Sequence, residues 1–221
     1  MSFILNIETA TRNCSVAIAK DGGTVALKEI ATENYSHAEK LHVFIADVLK
    51  DAAIGFSDLS AVAVSKGPGS YTGLRIGVSA AKGYCFALGI PLISVDTLEV
   101  IARQASVADG LIIPMIDARR MEVYSAIFNA DLTLFREVSA EIIDESSFSD
   151  INQPIHIIGD CQPKIKSVLN TENFIFHDDI LYPSAKEMSA MSFERFKNGS
   201  FEDLAYFEPF YLKDFVTGGK S

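Results

Sequence analysis

Glu8 and Asp117 each close an apolar run, Phe3–Ile7 and Leu111–Ile116. Carboxylates at the ends of two buried strands could hold Mg²⁺ and activate a water or hydroxyl for phosphoryl transfer. A phosphate cradle for them is sought in Lys66–Tyr84, "KGPGSYTGLRIGVSAAKGY", where glycines crowd the start of a helix. The string is not a Walker A loop. Counted from Gly67 or Gly69, the second glycine should fall on Thr72 or Leu74, and Leu74-Arg75 follows Gly73 where Lys-Ser/Thr is required. It is not GxGxxG either, because the last glycine comes one residue late, at Gly73. An atypical anion site at this helix N-terminus is the remaining phosphate reading.

Other chemistry is equally thin. Ser70 has no glycine two residues on, so it is no GxSxG nucleophile; it reads as a helix N-cap. His37 and His42 stand five apart, which on a helix turns their rings away from each other by about 140°. A shared metal is therefore disfavoured. His156 and His177 fall in or beside strands and read as structural. Cys14, Cys85 and Cys161 are odd in number and form no CxxC, so they read as small buried hydrophobes of a reducing compartment.

A packing reading fits the glycines better. Gly69, Gly73, Gly77 and Ala81 are four apart and stack on one helix face as a stripe without side chains. Each helical glycine costs about 1 kcal/mol against alanine, which close backbone approach could offset. Leu74, Val78, Cys85 and Leu88 lie on the adjoining face, ready for a sheet. The stripe could meet only the chain's own first helix, or another chain. That first helix is apolar over an arc of about 200° (Leu41, Phe44, Ile45, Ala46, Val48, Leu49), wider than one buried side needs. The width favours a helix-on-helix contact with a partner. The expected interface is Leu41, Phe44, Ile45, Val48, Gly69, Ser70, Tyr71, Gly73, Arg75, Gly77 and Ala81. Arg75, Arg119 and Arg120 read as exposed charges, Arg75 able to pair across that contact.

The elements that must position these residues follow from pattern. Strands are expected at Phe3–Ile7, Ser15–Ala19 and Thr24–Ile30, the last two joined by the Asp21-Gly22 turn. A helix should open at a Ser36–Glu39 capping box and run to Ala53. A strand at Ala61–Ser65, the glycine-led helix to Leu88 and a strand at Pro91–Val95 complete a βββαβαβ order. The second half repeats it: strands at Leu111–Ile116, Val123–Phe128 and Leu132–Glu137, a weak helix at Glu145–Ile151, a strand at Ile155–Ile158, a helix at Gln162–Leu169, a strand at Phe174–His177 and a helix at Ser184–Lys197. The helix after Asp96-Thr97 should join the halves, and the tail Thr217–Ser221 should fray. Two such units in tandem give an α/β chain of the actin-like ATPase (ribonuclease H-like) fold. Residues 1–103 would form an N-terminal half carrying the partner helices, and 104–221 a smaller C-terminal half.

Composition limits the options further. The 221 residues are 48% hydrophobic, enough for real cores, and carry a net charge of −10. Such a chain repels phosphate backbones, which disfavours direct nucleic-acid binding by the chain alone and leaves room only for a local basic patch. No basic leader or bilayer-length apolar run is visible, so a cytoplasmic protein is expected, with no membrane partner.

Ile4–Ile18, Lys66–Ala102, Met115–Phe128 and Glu208–Lys213 together resemble the TsaB (YeaZ) family over nearly the whole chain, the GPGS[YF]TGxRIG string being the most specific part. The resemblance implies a non-catalytic scaffold in formation of N6-threonylcarbamoyladenosine beside the anticodon of tRNAs reading codons that begin with A. It implies pairing with the catalytic paralogue TsaD through the first two helices, with TsaE, a small ATPase, joining the pair. It further implies a homodimer in isolation through the same surface, and contact with tRNA only through the complex. No cofactor is expected on this chain, since ATP/ADP and a metal belong to the partner subunits. Glu8 departs slightly, as the family often has Asp there. Active relatives usually carry a double glycine in their adenosine loop, where this chain has Gly159-Asp160, whose charge opposes phosphate. The alternative is a free-standing actin-like ATPase or kinase using Glu8 and Asp117 in the cleft between halves.

Overall fold

The computed structural model describes residues 1–32 and 37–213. Ser36 of the expected capping box and the tail Thr217–Ser221 lie outside these. Two five-stranded mixed sheets share one topology. The first contains β1 (Phe3–Glu8), β2 (Asn13–Lys20), β3 (Gly23–Ala31), β4 (Leu59–Ser65) and β5 (Leu92–Val95), in the order β3-β2-β1-β4-β5. The second contains β6 (Leu111–Asp117), β7 (Glu122–Asn129), β8 (Leu134–Ile142), β9 (Ile155–Gly159) and β10 (Phe174–Phe176), in the order β10-β9-β6-β7-β8. In each, the opening meander is antiparallel and the later two strands add in parallel.

The helices are α1 (His37–Asp51), α2 (Tyr71–Leu88), α3 (Thr97–Ala102), α4 (Gln162–Ile165) and α5 (Ala185–Lys197). Strand alternation sorts the first sheet's two faces. Leu5, Ile7, Val62 and Val64 meet Leu41, Ile45 and Val48 of α1 and Val78, Ala81 and Cys85 of α2. Ile4, Ala17, Ala61, Ala63, Ile93 and Val95 meet Ala185, Met188 and Met191 of α5. Each buried Leu, Ile, Val or Met contributes about 1.5–3 kcal/mol by leaving water.

The chain therefore crosses over itself. By sequence α5 follows the second sheet, yet it packs on the first. The segment after it stays there: Glu202 N–H donates to Leu92 O at 2.9 Å, and Phe210 N–H to Lys66 O at 2.7 Å. Conversely α3 packs on the second sheet, with Leu98 and Ile101 against Ile112, Ile116 and Ile158. A cut at 103/104 separates the sheets but divides neither layer that covers them.

Two expected elements differ. Glu145–Ile151 is a run of turns, because Asp144 and Ser147 bond neighbouring backbone and side-chain groups: Ser146 N–H reaches Asp144 Oδ1 at 2.8 Å and Asp144 N–H reaches Ser147 Oγ at 3.0 Å. Such local bonding competes with a helix. The helix expected at Gln162–Leu169 is regular only over Gln162–Ile165 and continues as turns. The second half accordingly lacks a counterpart of α1. Among the described residues no helix is long and apolar enough to cross a membrane.

Candidate functional site

The start of α2 is fixed by Ser70, whose Oγ accepts the Gly73 N–H at 3.3 Å, as a cap should. Gly89 closes the helix in the left-handed region, at φ 65°. The glycine stripe is occupied from within. A Cβ at Gly73 would lie 2.1 Å from Thr9 O, one at Gly77 2.3 Å from Thr9 Oγ1, and one at Gly69 2.4 Å from Ala10 O. Thr9 Oγ1 donates to Gly73 O at 2.8 Å and Ser70 N–H to Ala10 O at 2.7 Å. Placing Gly69, Gly73 and Gly77 on a partner-facing surface is therefore corrected: the stripe seats the turn that follows β1.

The other expected interface residues shift as well. Leu41, Ile45, Val48 and Ala81 are fully buried in the first core. Phe44 is half-buried against it. Tyr71 lies 4.9 Å, ring to ring, from Tyr211 of the returning segment. Arg75 is exposed and donates to Tyr71 OH at 2.7 Å. What α1 and α2 present to solvent instead is Val43, 53% exposed, Phe86, 83% exposed, and the exposed Ala46, Ser79, Gly83 and Ala87. His42 Nδ1 and Tyr84 OH, 3.0 Å apart, link the two helices across this side, and Phe56 stacks on Tyr84 at 5.4 Å. A Cβ at Gly83 would meet nothing within 4 Å. Sequence reading missed this face by counting the wide apolar arc of α1 as outward. The usable signal was Val43, placed about 160° from Leu41 and Ile45, which face the sheet.

The cleft residues have parted. Glu8 is fully buried and receives the Ala10 N–H at 2.6 Å on Oε1. Burial pushes its carboxyl up to about 7, against the opposing pull of its hydrogen bonds. Asp117 is exposed and paired with Lys164 Nζ at 2.5 Å, while its N–H donates to Asp160 Oδ1 at 2.9 Å. Burial also raises the Asp160 carboxyl.

The two histidines read as structural do meet: β10 pairs with β9 so that His156 Nδ1 and His177 Nε2 come within 2.9 Å. Burial and the neighbouring ring hold His156 below its ordinary range. Its folded pKa is depressed, so its contribution to stability is present above the unfolded value and is lost as pH falls through the folded one. NMR titration should show His156 titrating below an unfolded reference peptide; a midpoint at or above that reference would contradict the geometry.

Residues 15–209 match the family model described as TsaD: tRNA N6-adenosine threonylcarbamoyltransferase. In fold the chain is similar to YeaZ from Pseudomonas aeruginosa (TM-score 0.83, 24% identity, covering 96% of this chain and 100% of that one). Sheets, crossovers and family match together define an actin-like ATPase-fold protein related to the tRNA threonylcarbamoyladenosine proteins. The Escherichia coli K12 tRNA threonylcarbamoyladenosine biosynthesis protein TsaB is 30% identical over 98% of this chain and 97% of its own length. Its Haemophilus influenzae namesake is 27% identical over 98% and 96%. The chain belongs to the TsaB family.

Proposed function

We propose that the chain is a non-catalytic scaffold in tRNA threonylcarbamoyladenosine formation, and that it docks a TsaD-type catalytic subunit on the outer face of α1 and α2. Gly83 carries this reading. Glycine inside an exposed helix costs about 1 kcal/mol. Gly73 and Gly77 recover that cost against the chain's own Thr9, but among the described residues Gly83 has no neighbour to accommodate. A close approach there must come from another molecule. Val43 and Phe86 flank it as apolar anchors of the kind that dominate interface energetics. A second copy would use the same face when the catalytic subunit is absent, and a TsaE-type ATPase would join the assembled pair.

A nucleotide-hydrolysing role is less well supported. Glu8 is fully buried with Oε1 taken by the Ala10 N–H, Asp117 is paired with Lys164, and Asp160 accepts the Asp117 N–H, so the three carboxyls are already engaged within the chain. These residues do not fit a Mg²⁺-nucleotide, so nucleotide and metal are assigned to the partner subunits.

Co-purification with the catalytic subunit tests the docking face. Gly83→Leu and Phe86→Asp should each weaken the pair at least about tenfold while the isolated chain keeps its thermal midpoint within a few degrees. Undiminished pairing by both variants would place the partner elsewhere. Calorimetry with ATP and Mg²⁺ on the chain alone addresses the enzyme alternative: tight binding lost on Glu8→Ala would favour it.

A further inference from the structure

The chain has seven arginines. Arg103, Arg136 and Arg195 pair with carboxylates, and Arg75 is held by Tyr71. For Arg12, Arg119 and Arg120 there is no ion pair among the described residues, and all three are exposed. Arg12 acts on the Asp160 carboxylate. Asp160 Oδ1 holds the Asp117 N–H at 2.9 Å, and Asp117 Oδ1 holds the Arg119 N–H at 2.8 Å. Lys164 and Lys213 stand in the same cluster, paired with Asp117 and Glu122. Arg12, Arg119, Lys164 and Lys213 thus stand beside Asp117, Glu122 and Asp160, and Arg120 follows Arg119 in the same turn, a local positive excess on a chain of net charge −10.

The turn that carries two of these arginines is also unusual. Arg119 and Arg120 sit in the left-handed region, at φ 76° and 50°. Asn-Gly would take that hairpin corner with little strain, and long side chains there cost about 1–3 kcal/mol each. Among the described residues no ion pair of either arginine repays the strain. Arg12 comes from the loop after the first sheet's leading strand, and Arg119 and Arg120 from the loop after the second's, so the patch bridges the two sheets' mouths.

The geometry points to Arg12, Arg119 and Arg120 as a phosphate-contacting patch that meets the backbone of the tRNA in the modification assembly, a step that rests on the tRNA-modification reading above. Guanidinium forks match phosphate oxygens in pairs. Glu8 is fully buried and Asp117 is taken up by Lys164, so neither is free to hold the metal of a Mg²⁺-triphosphate. An extended polyanion touches the exposed guanidiniums from outside. The acidity of the remaining surface limits this to a few phosphates, so the contact is weak without the partner.

The test titrates unmodified tRNA, across a salt series, into the chain paired with its catalytic subunit, and into the chain alone at about 20 mM salt, where screening is least. Arg119→Asn/Arg120→Gly removes both charges and relieves the turn, so folding is not at risk. This variant should bind tRNA about tenfold more weakly at low salt, with the salt slope shallower by about 1–2; Arg119→Lys/Arg120→Lys should keep most of the slope. Binding of ATP and of inorganic pyrophosphate should not change. An unaltered tRNA slope overturns the proposal, as does a loss confined to ATP or pyrophosphate, which would assign the arginines to a free nucleotide. If the wild-type chain fails to co-elute with the catalytic subunit, the docking reading fails by itself, and the titration of the chain alone still decides the patch.

Discussion

Gly73→Ala should destabilise the isolated chain by about 3 kcal/mol or more, at the upper end of what an overpacked site costs. The added methyl would lie 2.1 Å from a backbone carbonyl, Thr9 O, which has no rotamer to escape into. The hydrogen bond from Thr9 Oγ1 to Gly73 O would be lost with it. Gly83→Ala, ten residues along the same helix, should stabilise the chain by about 1 kcal/mol, because only propensity changes there. Urea unfolding of both variants reads the contrast. Similar small effects at both positions would show that Thr9 does not rest on the stripe.

Glu8→Gln should raise stability by about 3 kcal/mol at pH 8 and leave it unchanged at pH 4. The sign follows from the two protonation states. In the unfolded chain the carboxyl ionises at its ordinary value of 4.5, whereas in the folded chain burial holds it protonated up to about 7. Between those values the unfolded state alone releases its proton, so the wild-type chain loses stability as pH rises and levels off above about 7. Glutamine keeps an acceptor for the Ala10 N–H and has no proton to lose. Unfolding free energies across pH 4–8 should therefore slope for the wild type and flatten for the variant. Parallel curves would mean that Glu8 is ionised in place, with a counter-charge beside it.

Much of the architecture was legible because its determinants are local. The alternating apolar runs located nine of the ten strands to within two residues at most ends, and Asp21-Gly22 and Ser70 marked a turn and a cap. β8 was truncated in the reading because its edge position leaves Leu134, Phe135 and Ile142 exposed and blurs the alternation. The glycine string was rightly taken as a close-approach device rather than a phosphate loop. Which backbone approaches it could not be read, since Thr9 and Gly73 are brought together only by the β1–β4 pairing and the crossover of α2. The same holds for His156 and His177, and for Arg12 beside Asp160, contacts made across strands or sheets. The packing of α5 was hidden for a different reason: its apolar spacing states that one side is covered, not by which sheet.

That last arrangement carries a consequence for biosynthesis. A growing polypeptide emerges N-terminus first, and the first sheet can be complete with α1 and α2 seated on one side once Val95 is free. Its opposite surface, with Ile4, Ala17, Ala61, Ala63, Ile93 and Val95, then stays wet until Ala185–Met191 arrives, after the whole second sheet. Maturation on the ribosome is bound to be late and near-simultaneous for both sheets, and nascent chains halted before residue 185 should depend on chaperones in a way the finished molecule does not.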